Sequence, residues 1–284
     1  MRGQVKNSPV PKTEVSVDLA ELPEAEATAE KARIYGEIRR LGGVPMVALI
    51  FRHLATLPGA LEWMWEAVSP AWRSGAIPET AWRIARDVPL EPMAALSRSE
   101  LAALDVDAAG IEEIRTVVES YDRANPENLL TVLCLLRLVP GRVASREAIA
   151  RPWVPPVAPG PLAPMGDLHS LTPEMTELLA RVAGPSPPGG ARVVQSLYRH
   201  FLHRPAFLER VVTSLQRRMD DGSVDRAASR IHADMSRAAD EIVATLRAPP
   251  APHPGIEQAC SRFAGGIIPR MIVVGRLLRA AIPQ

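Results

Sequence analysis

Apolar residues recur at three- and four-residue spacing along most of the chain, and Pro-, Gly- and Asp-rich breaks divide that pattern into segments. The periodicity predicts amphipathic helices over Ala27–Leu41, Val47–Ala55, Ala60–Arg73, Ser99–Leu104, Ile111–Tyr121 and Asn128–Leu138. Alternating apolar–polar runs bounded by hairpin turns are scarce, so the fold class read from the pattern is all-α. The apolar stretches Leu129–Val139 and Ile267–Ile282 are short or carry Arg137, Arg270, Arg276 and Arg279. They read as core helices and not as membrane spans.

The pattern is written twice. Shifted by 147 positions, Ile50-Phe51-Arg52-His53 meets Leu197-Tyr198-Arg199-His200. The same shift pairs Gly42-Gly43 with Gly189-Gly190, Val47 with Val194, Pro58 with Pro205, Leu61 with Leu208, Glu62 with Glu209 and Gly75 with Gly222. Slightly different offsets align Asp18-Leu19 and Pro23-Glu24 with Asp167-Leu168 and Pro173-Glu174, and Pro126 and Pro140 with Pro269 and Pro283. The order of the matches is kept, as expected for a duplicated module whose loops have changed length. Between the copies, Arg151–Met165 holds six prolines, which forbid regular helix and favour an extended, semi-rigid connector. The organisation expected is a disordered leader (1–17), a first helical repeat (18–150), a Pro-rich linker (151–166) and a second helical repeat (167–284). Two copies of one module are expected to pack about a pseudo-two-fold axis as an intramolecular dimer, with the ligand cavity between equivalent helices.

Composition narrows the chemistry. The chain of 284 residues carries a net charge of +1, with no basic excess for nucleic acid or an acidic membrane surface. Lysine stands only at Lys6, Lys12 and Lys31, and every other basic residue is arginine, which speaks against Schiff-base or pyridoxal-phosphate chemistry. Cys134 and Cys260 form no metal-ligating pair, and with an N-terminus lacking an apolar run they fit a reducing cytoplasm. No cofactor and no metal are expected, and the expected partner is a small organic acid. No nucleic-acid or membrane partner is expected, and homodimerisation stays open.

Val44–Trp65 reads VPMVALIFRHLATLPGALEWMW. It resembles the group I 2-haloacid dehalogenases, the family that handles both enantiomers of small 2-halo acids. The resemblance rests on Val44, Pro45, Val47, Ala48, Arg52, Leu54, Ala55, Thr56, Pro58, Gly59, Leu61 and Trp65. It is extended by Ala124-Asn125-Pro126 before the apolar Leu129-Leu130, and more weakly by Arg262-Phe263. It covers roughly Leu22 to the C-terminus and includes the duplication. It implies that an aspartate of the second copy activates water, which displaces halide at C2 with inversion and without a covalent ester, while an asparagine of the first copy positions that water. The asparagine carries over to Asn125. Counted back from Pro205, the aspartate's position is held by Leu197 and a neighbouring family serine by Ser196. No Asp or Glu occurs between Glu177 and Glu209, so a small change of alignment does not restore a carboxylate.

Leucine cannot accept a proton. His200 follows Leu197 by three residues on the same helical face and is the substitute base that the spacing offers. Arg52 and Arg199 are duplicated cations suited to bidentate carboxylate binding. Asn125 stands before Pro126, where a helix is expected to begin. Met46, Leu49, Leu197 and Cys260 match positions that line the family's pocket, and Ser196 is a donor for a ligand carboxylate. The reading is a dehalogenase-type enzyme, hydrolase or lyase in class, acting on a small or medium organic acid without a water-activating aspartate. Displacement, cyclisation or elimination fits such a site. The alternatives are a 2-haloacid dehalogenase using His200 and a non-catalytic ligand- or partner-binding relative.

Overall fold

In a computed structural model, the described residues are 15–16, 19–138, 140–146, 153–183, 192–250 and 255–283, with the backbone alone at 15–16 and 192–193. The first half of the chain forms α1 (Ala29–Gly42), α2 (Leu49–Leu54), α3 (Ala60–Arg73), α4 (Ala76–Asp87), α5 (Arg98–Ala103) and α6 (Ala108–Leu135). The second forms α7 (Pro173–Val182), α8 (Ser196–His200), α9 (Pro205–Asp220), α10 (Ser223–Val243), α11 (Ile256–Arg262) and α12 (Ile268–Ala281). A 3-10 turn, Phe201–His203, extends α8, and a π-helical turn, Phe263–Ile267, joins α11 to α12. The only strands among the described residues are a parallel two-residue pair, Val15–Ser16 with Arg192–Val193. Most of the leader expected to be disordered lies outside the described residues, but this pair ties its end to the second half.

The core is built around α6 and α12, which pack along each other, with α10 against both and α4 against α6. Helix signals explain the starts. Ser97 and Glu100 form a capping box at α5, the Asp107 carboxylate accepts from the Gly110 N–H at α6 (2.8 Å), and Thr172 caps α7 ahead of Pro173. The order of short helix, long helix, left-handed glycine and second long helix occurs in both halves. The glycines are Gly75 (φ 76°) and Gly222 (φ 72°), which lead into α4 and α10 through a conformation that a Cβ disfavours.

Two sequence expectations change. The first half has a helix that the periodicity did not predict, α4, whose buried face is Ile77, Ala81, Ile84 and Ala85. The helices expected on either side of Asn125 are one continuous α6, so Asn125 lies mid-helix and caps nothing. Pro126 removes the hydrogen bond to the Asp122 carbonyl. The helix continues because every residue from Ala124 to Leu135 is buried, and their packing outweighs one lost bond.

The connector is docked along its described length and contains no regular helix. The Trp153 indole donates to the Leu41 carbonyl (3.0 Å) and covers Gly75 so closely that a Cβ there would lie 2.6 Å from the ring. Further on, the Val157 carbonyl accepts from Arg123 (2.7 Å) and the Pro164 carbonyl pairs with the His203 ring (2.8 Å). Backbone hydrogen bonding of Gly166 to Arg199 (3.0 Å) completes its run from the first half to the second.

Candidate active site

Two short helices begin at one cavity. Extended Ala48 leads into α2 and extended Gln195 leads into α8. Both residues line a cavity that is also walled by the middle of α6 and by the π turn and start of α12. Among the residues singled out from the sequence, Met46, Leu49, Asn125, Ser196 and Leu197 all line it, and Leu197 is fully buried. Arg52 lines it as well.

His200 and Cys260 are not among the lining residues. The His200 ring packs beside Tyr121 (centroids 5.8 Å apart) and is hydrogen-bonded to the Ala163 backbone, while its Nδ1 has no partner among the described residues. Burial pushes its pKa down to about 4, so the imidazole is neutral at neutral pH. Cys260 is fully buried, and burial pushes its thiol up to about 12, which leaves no thiolate to act as a nucleophile. Arg199 bonds the Gly166 carbonyl (3.3 Å) and, like its ring neighbour, is not part of the cavity wall.

The sequence reading missed Tyr121, Asn128 and Gln195, all of which line the cavity. The signal for two of them was present. Tyr121, Asn125 and Asn128 are spaced i, i+4 and i+7, one face of one helix, and form a polar stripe in an otherwise apolar segment. The break expected at Pro126 hid it.

The electrostatics are those of a donor-rich, base-free site. The Arg52 Nε donates to the Glu21 carboxylate (2.7 Å), its Nη2 contacts the same oxygen (2.7 Å), and its Nη1 donates to the Val47 carbonyl. Its charge is therefore balanced from behind. Burial pushes the Tyr121 phenol up to about 12, with Arg52 and a hydrogen bond to Ser196 opposing the rise, so Tyr121 stays protonated. Asn125 is more than nine-tenths buried and its Nδ2 has no partner among the described residues. No carboxylate, imidazole or thiol lines the cavity among the described residues. The nearest buried acid along α6, Glu127, packs against Gly42, where a Cβ would lie 2.6 Å from its Oε2, and desolvation pushes its carboxyl pKa well above the usual carboxylate range. No group of three or more His, Cys, Asp or Glu side chains that could hold a metal ion occurs among the described residues. The site can thus donate hydrogen bonds to an oxyanion and orient it, but has no side chain suited to deprotonating water.

No helix of the described residues is long and apolar enough to cross a membrane. No protein-family model matches the chain. It is 31% identical over 174 residues to a configuration-inverting 2-haloacid dehalogenase of Alcaligenes xylosoxydans xylosoxydans, a match spanning 57% of this chain and 57% of that enzyme. Two solved structures share its fold. A D-2-haloacid dehalogenase in complex with L-LA superposes with a TM-score of 0.70 at 17% identity, over 96% of this chain and 98% of the other. A D-2-haloacid dehalogenase mutant with D-2-CPA gives 0.65 at 18% identity, over 96% and 97%. The polar stripe of α6 faces the start of α8 across one cavity, within a fold shared over nearly the whole chain with the D-2-haloacid dehalogenase structures, and over 174 residues the sequence is similar to that of a configuration-inverting 2-haloacid dehalogenase.

Proposed function

We propose that the protein binds a small or medium organic acid in the cavity between its two halves and transforms it without water activated by a carboxylate. The single observation that carries this reading is the cavity wall itself: Asn125 and Leu197 share it, and neither Asp nor Glu lines it among the described residues. The unpartnered Asn125 Nδ2 and the Ser196 hydroxyl are donors for the substrate's oxygens, and the apolar wall of Leu197, Ile268 and Met271 excludes water from the carbon chain. Tyr121, protonated and hydrogen-bonded to Ser196, leaves one free O–H between the two hydroxyls for the substrate and is unsuited to accepting a proton.

The reaction that fits such a wall is displacement by a nucleophile carried within the substrate, closing a ring, or an elimination. In the displacement, the substrate's own oxygen bonds to C2, the C–X electron pair departs with the leaving group, and the proton of the oxygen passes to bulk water. The protein contributes orientation, which by itself is worth large factors when the reacting atoms are held in line. The repeated order of helices in the two halves, with α6 and α12 packed at the centre, supports the reading of a duplicated module with its site at the junction. Two buried free cysteines are consistent with a cytoplasmic setting. Hydrolysis with His200 as base has less support, because that ring is off the cavity wall and its proton affinity is depressed by burial.

The test is halide release from 2-chloropropionate beside binding of the same acid. General-base assistance typically contributes about a hundred- to ten-thousand-fold to rate. The expected result is saturable binding with halide release at or near the uncatalysed background. Chloride release at the rate of an ordinary enzyme would overturn the proposal, and binding without turnover of any halo-, hydroxy- or acyloxy-acid would leave only a ligand-binding role.

A further inference from the structure

Beside the main cavity lies a second, walled by the end of α7, the start of α8, the end of α9 and the starts of α10 and α12. Gln195, Ile267 and Met271 line both cavities, so a single layer of side chains separates them. Two residues lining the second cavity carry a buried polar atom with no hydrogen-bond partner among the described residues: the Tyr198 hydroxyl, on a side chain with 0% exposure, and the Gln195 Oε1. Native proteins seldom leave buried polar atoms unpaired, and pairs of them on one cavity wall mark a place for a polar ligand group. The charges around them balance. Arg181 and Arg270 stand against Asp220 and Asp225, with Arg270 forking onto Asp225 at 2.6 and 3.0 Å and Gln216 donating to Asp220 at 2.6 Å.

We infer that the two cavities form one extended site, in which an acid anchored in the main cavity passes its distal end by Met271 into the second. There a neutral hydrogen-bonding group, a hydroxyl or a primary amide, pairs with the Tyr198 hydroxyl and the Gln195 Oε1. The inference rests on the reading of the main cavity as an organic-acid site and specifies the substrate class: a medium-length carboxylic acid with a neutral polar terminus. Met271 is unbranched, with three rotatable bonds, and turns aside at little cost compared with a branched or aromatic side chain. A neutral terminus follows from the balanced charges, because a second carboxylate or an ammonium would leave one pair of them opposed.

Calorimetric binding to the full-length protein tests this with hexanoate, 6-hydroxyhexanoate and adipate, and with the corresponding acids of about four to eight carbons. The hydroxy acid of suitable length is expected to bind about tenfold more tightly than the plain acid, the usual worth of one newly satisfied hydrogen bond, while the diacid gains nothing. In Tyr198→Phe the ratio of hydroxy to plain affinity is expected to fall to near one. The unliganded melting temperature of that variant should not drop, because the hydroxyl removed has no protein partner. A ratio unchanged in Tyr198→Phe, or plain acids that bind with no hydroxyl preference at any length, would overturn the extended site and leave the main cavity reading intact. Failure of every acid to bind would overturn the main reading and this one with it.

Discussion

The two halves of the chain meet at one cavity but bring different chemistry to it. The first half gives the apolar run Met46–Ile50 together with Arg52, Tyr121, Asn125 and Asn128, and so the cavity's one charge and most of its polar groups, whereas the second gives Val194, Leu197, Phe263, Ile267, Ile268 and Met271, with Gln195 and Ser196 as its polar members. Matched positions have parted in conformation as well as in polarity. Pro126 and Pro269 align, yet α6 runs straight through the first while α12 begins at the second, after a π turn. The residues just ahead explain the difference. The aligned pairs are Asp122-Arg123 and Gly265-Gly266. Arg123 is paired with Glu119 one turn back and Asp122 with Arg279 of α12 (2.7 Å), which supports the helix, whereas two glycines carry a helix poorly. The aligned histidines differ too: His53 bonds the Ala20 carbonyl (2.8 Å), and its counterpart His200 is buried against Tyr121. Equivalence in sequence therefore sets where a residue sits along the chain and leaves its surroundings to the packing.

Four experiments would break or sharpen this contrast, taken from the largest expected effect to the smallest. Leu197→Asp, which would put a carboxylate on the apolar wall, buries an ionisable group at a fully buried site and is expected to cost several kcal/mol, with the new carboxyl pKa raised by desolvation. If Asn125 orients a water towards it, weak halide release should appear and grow as pH rises and the carboxyl ionises. An unshifted carboxyl pKa by NMR titration together with unchanged stability would mean that the wall is wet and the contrast is wrong. Asn125→Leu removes an unpartnered Nδ2 from the polar wall. Acid binding should weaken by roughly tenfold or more, the worth of one or two donors, while the melting temperature holds or rises because no protein hydrogen bond to Nδ2 is lost.

The remaining two concern buried titratable groups, one from each half, and their pH slopes have opposite sign. Glu127 has a folded pKa raised well above the ordinary carboxylate range by desolvation, so the native state binds its proton more tightly than the unfolded chain does. Stability is full below the unfolded pKa and is lost as pH rises beyond it. Glu127→Gln should therefore melt higher than the parent at pH 7, by a few degrees at about 2–4 °C per kcal/mol, and match it near pH 4. His200 runs the other way. Its folded pKa is lowered from 6.5 to about 4, so the unfolded chain takes up the proton first and stability declines as pH falls from 6.5 towards 4. His200→Phe should flatten that decline, seen as melting temperatures that vary less across the interval. A parent protein with no slope there would place His200 in water.

Local patterns carried the fold class and most helix positions, because helical periodicity is a property of neighbours in sequence. Asn125, Ser196, Leu197, Met46 and Leu49 were also legible as cavity residues, since a run such as Val44–Trp65 keeps its register wherever it packs. Tertiary structure alone decided the rest. Whether α6 breaks at Pro126 depended on the burial of the twelve residues that begin at Ala124, and with it whether Tyr121 and Asn128 join Asn125 on one face. The pairing of Arg52 with Glu21, 31 residues away, turned a candidate carboxylate anchor into a neutralised part of the wall. The depressed proton affinity of His200 and the raised one of Glu127 come from desolvation, which is a property of everything packed around a group. The sequence names the groups, and the dielectric they share is made only when distant segments close over them.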